Sequence, residues 1–163
     1  MIVVADTSVI LNLSKIEQAR LLQQLFKRVL IPQTVAAEFI RLSETKGRFA
    51  GLIIPGWIEI LPSPESFPHE VVKAGLDAGE SAAIALCLKE KADVLLIDES
   101  LGRGVAALLG IRTIGLLGIL VESRRRGFVL NLKTLLDRLE SDAGFWIAPT
   151  LRNRVLDLAG EEP

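Results

Sequence analysis

Short apolar runs alternate along this chain with longer stretches whose apolar residues recur at helical spacing. The runs IVVA (2–5), RVLIP (28–32) and DVLLI (93–97) are brief and β-rich, and predict buried strands. WIEIL (57–61) alternates and stops against Pro62, which predicts a strand near a sheet edge; RTI (112–114) predicts a short last strand. Between these runs the spacing predicts helices. Ile16, Leu21, Leu22 and Leu25 mark one over 16–26, with Ser8 available as a cap upstream. Pro32 opens another, with Val35, Phe39, Ile40 and Leu42 on one face. DAGESAAIALCLKEK (77–91) carries acids in its first turn and lysines in its last, matching the helix dipole. Further helices are predicted over 100–109, 116–126, 131–141 and 149–159, the last two joined through GFWIAP. The proline-rich segment 62–70 predicts a loop.

Strands that alternate with helices imply an α/β fold, a parallel sheet covered by helices on both faces. In such sheets ligands sit beyond the carboxyl ends of the strands, near the point where strand order reverses. A length of 163 residues is that of one domain, enough for a core without staples. Half the residues are hydrophobic, but Tyr is absent and aromatics are only 5%, so the core must be aliphatic. The single cysteine, Cys87, excludes an internal disulfide, and its apolar surroundings predict a buried, inert thiol. A net charge of −1 argues against binding nucleic acid through an overall field, though not against a local basic patch. The chain opens directly into a strand pattern, so no signal peptide is expected, and no apolar run approaches the ~20 residues of a membrane span. A soluble intracellular, cytoplasmic protein is the expectation.

The residues after the strands carry acids. Asp6 follows the first strand, and Asp98 and Glu99 follow the 93–97 strand. Glu38 lies in the helix after Pro32, and Asp77 and Glu80 open the helix before residue 93. Singly each has an ordinary explanation. Acids favour the first helical turn, Asp at a strand end caps or turns, and Glu38 suits a solvated face. Together they conflict: two unit charges 4 Å apart repel by about 1 kcal/mol in water and about 4 kcal/mol at an effective dielectric of 20. A divalent cation removes the conflict. An all-oxygen set suits Mg²⁺ or Mn²⁺ rather than Zn²⁺, and His69, the only histidine, stands apart in the proline-rich segment. Arg124, Arg125 and Arg126 form the only dense basic run, a candidate substrate contact that also suits a helix C-terminus; Arg103 can meet a carboxylate or a phosphate.

VVADTSVIL, LIPQTVAAEFI, LDAGESAAIAL and VLLIDESLGRGVAALLGI, in that order, resemble a PIN domain of the short prokaryotic kind, the VapC-type toxin ribonucleases. The resemblance covers about residues 1–127 and leaves 128–163 as a C-terminal helical extension of the same domain, available for dimerisation. It implies a flavodoxin-like, three-layer α/β/α sandwich with five parallel strands. It implies a metal-dependent endoribonuclease in which Asp6, Glu38, Glu80 and Asp98 are catalytic and hold Mg²⁺ or Mn²⁺, with Ser8 bonded to an acid or a metal-bound water. It also implies an RNA substrate, a homodimer and a small antitoxin partner. The sequence departs from many relatives at two places. Ile97-Asp98-Glu99 makes Glu99 a rival fourth ligand, and Glu80 stands where many relatives have Asp, with Asp77 its rival.

Other classes fit less well. A haloacid-dehalogenase-type phosphoaspartate enzyme needs a second Asp where Ser8 stands, and a receiver domain needs a lysine near Ile114-Gly115-Leu116. DTSVIL has no glycine to make a phosphate loop. The alternative that stays open is a non-catalytic PIN-like module that binds RNA or a protein partner.

Overall fold

The computed structural model describes all 163 residues. Five strands, β1 (Ile2–Ala5), β2 (Arg28–Pro32), β3 (Glu59–Leu61), β4 (Val94–Leu96) and β5 (Thr113–Ile114), form one sheet in the order β3-β2-β1-β4-β5. Every neighbouring pair is parallel, with Val3 opposite Val29 on one side and Val94 on the other. β1 is therefore central and covered on both faces, which is why residues 2–5 are a continuous apolar run rather than an alternating one. β3 is an edge strand paired only with β2, and Pro62 stops it because proline offers no ladder donor.

Nine helices surround the sheet: α1 (Thr7–Lys15), α2 (Arg20–Leu25), α3 (Gln33–Glu44), α4 (His69–Ala74), α5 (Ala78–Lys89), α6 (Ser100–Leu108), α7 (Leu116–Arg125), α8 (Leu132–Ser141) and α9 (Pro149–Leu158). Parallel crossovers are almost always right-handed. β1 steps to β2 in one direction and β4 steps to β5 in the other, so α1–α2 and α6 lie on opposite faces. α5 crosses β1, β2 and β4 and touches α6, whereas α7 packs against α2, which completes three layers. α5 is apolar nearly all round because it is enclosed: Ala82 through Cys87 are all buried beneath α3, α4 and α6. The strand order reverses between β1 and β4. There the Asp6 backbone N–H donates to the Leu96 carbonyl at 2.9 Å, so the segments leaving these strands emerge side by side.

Four local expectations give way. Of the helix read over 16–26 only α2, Arg20–Leu25, forms: α1 begins upstream at Thr7 and ends at Lys15, and Glu17 in the left-handed region (φ 59) breaks the chain between them. Ser8 does not cap; it lies inside α1, and the extended residue at the N-cap position is Asp6. The loop read over 62–70 ends early, because Pro68 starts α4 at His69. Ile40, read as part of the buried face of α3, is nearly half exposed, while Val35, Ala36 and Phe39 are buried.

One cluster of 42 buried residues runs from the sheet into the C-terminal helices, so α8 and α9 share the core of β1–β5 rather than forming one of their own. Glu161 fastens them. Its carboxylate accepts from the Leu132 and Lys133 backbone N–H groups at 2.6 and 3.3 Å, at the start of α8, and from Arg124 Nε at 2.8 Å. Burial pushes this carboxyl up, but those three donors together hold it below its ordinary value.

Candidate active site

Four backbone segments bring acids to the reversal point. Asp6 leaves β1 in an extended conformation, 6% exposed, and its carboxylate caps no helix. Asp77 caps α5, its Oδ1 accepting from the Glu80 N–H at 2.8 Å, and this places Glu80, 8% exposed, one turn along. Glu38 comes from the middle of α3, where its Oε2 accepts from Thr7 Oγ1 at 3.0 Å. Gly79 makes the meeting of α1, α3 and α5 possible. A Cβ there would stand 2.5 Å from Glu38 Oε2 and 3.6 Å from both Asp77 Oδ1 and Thr7 Oγ1.

The electrostatics follow from burial and like charge. Burial pushes the Asp6 carboxyl up to about 7; the neighbouring charges of Glu80, Asp77 and Glu38 add to the rise, and the Thr7 backbone amide offsets part of it. Glu80 is also raised, first by burial and then by Asp77, Glu99 and Glu38.

The two residues after β4 diverge. Asp98 Oδ1 accepts from the Leu116 N–H at 2.8 Å, at the start of α7, and its Oδ2 is buried without a partner. Burial raises this carboxyl, while the Leu116 amide and the Arg103 charge act against the rise. Glu99 caps α6 through the Leu101 N–H at 2.7 Å, and its charge is the one that reaches Glu80.

An oxygen-only set of mutually repelling carboxylates, with Asp6 and Glu80 buried and one Asp98 oxygen orphaned at the same end of the sheet, has the donor chemistry of a Mg²⁺ or Mn²⁺ site. Cys87 is buried away from it, its thiol pushed up to about 11 by burial and by Asp93, and His69 lies on α4 beside Leu101 and Leu108. No three of the acids converge into a closed ligand cage as they stand. Asp6, Glu38, Glu80 and either Asp98 or Glu99 are the residues that would hold an ion once their side chains turned toward it.

The remaining expected contacts separate. The hydroxyl that reaches an acid is that of Thr7, not Ser8. Arg103 lies beside Asp98 over Gly115, where a Cβ would stand 2.7 Å from its Nη1 and 2.8 Å from Asp98 Oδ1. The arginine triplet is elsewhere. α7 starts at the acid end of the sheet and runs back along it, so its last turn lies at the opposite end, where Arg126 shares a concavity with Met1. Arg124 pairs with Glu161 and Arg126 with Glu122, so two of the three charges serve the fold. A cation the motifs did not single out, Arg41, lines a groove of ≈ 360 Å³ with Glu38, Asp77 and Gly79. Its only signal in the sequence is its place one turn after Glu38. Gly79 had a better one, a glycine in a helix, where glycine is unfavourable unless something needs its space.

The family model of DUF3368, described as a PIN domain, matches residues 2–161. The chain belongs to this PIN-domain family. A search of curated proteins finds no match. PIN domains are generally nucleases that use divalent metal ions, and the match runs through α8 and α9 rather than ending after α7. No helix of this PIN domain is long and apolar enough to cross a membrane.

Proposed function

We propose that this PIN domain is a Mg²⁺- or Mn²⁺-dependent endoribonuclease that hydrolyses RNA phosphodiester bonds at the acids of the strand reversal. The observation that carries this reading is the burial of Asp6, a carboxylate without a cap to serve and surrounded by Glu80, Asp77 and Glu38. A fold keeps such an arrangement at a cost in stability, which a functional cation would offset. When bound, the ion supplies charge stabilisation at the phosphate and a water acidic enough to attack near neutral pH.

The chain's own residues divide the work. Asp6 and Glu80 present carboxylates from the deepest positions. Thr7 fixes the direction of Glu38 through their hydrogen bond, and Asp77 sets the first turn of α5. Asp98 fixes the start of α7, and Glu99 is better placed to join Glu80, which favours Glu99 as the fourth acid. Arg41 and Arg103 are the cations beside the acids, suited to RNA phosphates. The same reading makes the chain the cytoplasmic toxin of a toxin–antitoxin pair, a homodimer with a small antitoxin partner; the quoted sequence motifs are its support.

The test is RNA cleavage with Mg²⁺ or Mn²⁺, and calorimetric Mn²⁺ titration, for the wild type, Asp6→Asn, Asp98→Asn and Glu99→Gln. Asp6→Asn is expected to lose both cleavage and Mn²⁺ binding, and Glu99→Gln to lose more cleavage than Asp98→Asn. Metal-dependent cleavage that survives Asp6→Asn overturns the site. A wild type that binds no Mn²⁺ and cuts no RNA is an interaction module instead.

A further inference from the structure

Beside the acids, the structure contains a second concavity, of ≈ 580 Å³, lined by Asp98 and Arg103 on one side and Phe145, Trp146 and Leu151 on the other. Its size falls within the about 300–1,000 Å³ typical of small-ligand pockets. The two sides come from opposite parts of the chain. Asp98 and Arg103 belong to the segments after β4, whereas the aromatic residues come from the link between α8 and α9.

That link is held firmly. The Phe145 N–H donates to the Leu139 carbonyl at 2.9 Å, and its ring packs on the core. Arg48 donates to the Ala143 carbonyl at 3.0 Å and lies over Gly144, which is in the left-handed region (φ 68). Pro149 then opens α9. On this fixed backbone Trp146 is 77% exposed, in a chain with no Tyr and only two Trp. An indole held in water by an ordered link contributes little to the core. It offers a flat apolar face, and the cavity beneath it contains a guanidinium.

We propose that this cavity is a nucleotide subsite for single-stranded RNA, in which one unpaired base stacks on Trp146 and an adjoining phosphate meets Arg103. The combination decides the occupant. An aromatic face takes any base, a nearby cation takes the backbone, and a paired base has its faces covered by its neighbours. Asp98 follows β4, the parallel neighbour of β1, so a nucleotide held here lies at the same end of the sheet as Asp6. This inference rests on the nuclease reading above and adds to it a base-contacting residue outside the acid site, Trp146, with Arg103 as its phosphate partner.

The experiment uses the full chain carrying Asp6→Asn, to prevent cleavage, and Trp57→Phe, so that Trp146 is the only indole. Titration with a short mixed-sequence single-stranded oligoribonucleotide is expected to quench Trp146 fluorescence along the same curve as the anisotropy of a labelled oligonucleotide. Trp146→Ala is expected to weaken that binding about ten-fold, as for loss of one base–aromatic stack, and Trp146→Phe to restore most of it. Placing the same sequence in a duplex is expected to remove the quenching. With the active enzyme, Trp146→Ala is expected to raise KM for single-stranded RNA by a similar factor. Binding or KM unchanged by Trp146→Ala, while RNA is still cut, overturns the subsite and leaves the nuclease standing. Loss of a co-purifying protein partner in Trp146→Ala, with RNA KM unchanged, assigns the face to protein and likewise overturns it. Absence of both RNA binding and cleavage in every variant defeats the subsite and the nuclease reading together.

Discussion

Asp6 has no structural reason to be a carboxylate. Its backbone holds the N-cap of α1, but its side chain makes no capping bond, and burial with three acidic neighbours raises its proton affinity. The sign of the effect on stability follows. The folded state of the metal-free protein holds a proton on Asp6 up to about pH 7, whereas the unfolded chain releases it near the ordinary value of 3.8. The folded state thus binds more protons between these values, and stability falls as pH rises through that window. Asp6→Asn removes the ionisation. In metal-free thermal melts it is expected to match the wild type near pH 4 and to be the more stable protein above pH 7, by at most about 4 kcal/mol for a rise from 3.8 to about 7. Equal pH dependence in the two proteins would contradict the buried charge.

The elements differ in how much of their role is local. α5 has an N-cap, a first-turn acid and a last-turn lysine that are visible as sequence pattern, and it forms as the pattern indicates. α1 and α2 do not, because Glu17 takes a left-handed conformation with no glycine to announce it. α8 needs a residue far along the chain: Glu161 supplies acceptors to its first amides and pairs with Arg124. Because these donors hold the Glu161 carboxyl below 4.5, its contribution is fully present above that pH and is lost as pH falls through the folded-state value. Its carboxylate is largely enclosed, 13% exposed, so surface screening is limited. Glu161→Gln is expected to cost about 1.5–3 kcal/mol near neutral pH, the range for hydrogen bonds to a charged group. The difference should shrink in acid, and urea melts at pH 7 and pH 3 measure both.

At the scale of the molecule, the core does not stop at the boundary the motifs suggest. Leu132, Leu136, Leu139, Val155 and Leu156 lie in the same cluster as the strands, against α7. Each buried aliphatic side chain is worth about 1.5–3 kcal/mol, while a whole domain is stable by only about 5–15 kcal/mol. A chain ending at residue 127 sheds the ordering cost of α8 and α9 but uncovers the side of α7 and of the core on which these two helices pack. It is expected to be recovered as an aggregate or as an expanded form that binds a hydrophobic dye. A soluble, cooperatively melting 1–127 fragment would show that the extension is dispensable.

The sequence by itself determined the α/β class, the edge position of β3, the inert Cys87 and the family. These rest on period, breakers and local order, which the covalent chain carries directly. Tertiary structure alone decided which acids share a field. Asp98 and Glu99 are adjacent in sequence, yet one bonds to the start of α7 and the other reaches Glu80, because successive residues leaving a strand point in different directions. It likewise decided that Thr7 rather than Ser8 holds Glu38, and that the arginine triplet lies at the far end of the sheet. Distance along the chain carries no information about which end of a helix faces a site; that is set by the direction in which the fold runs the helix.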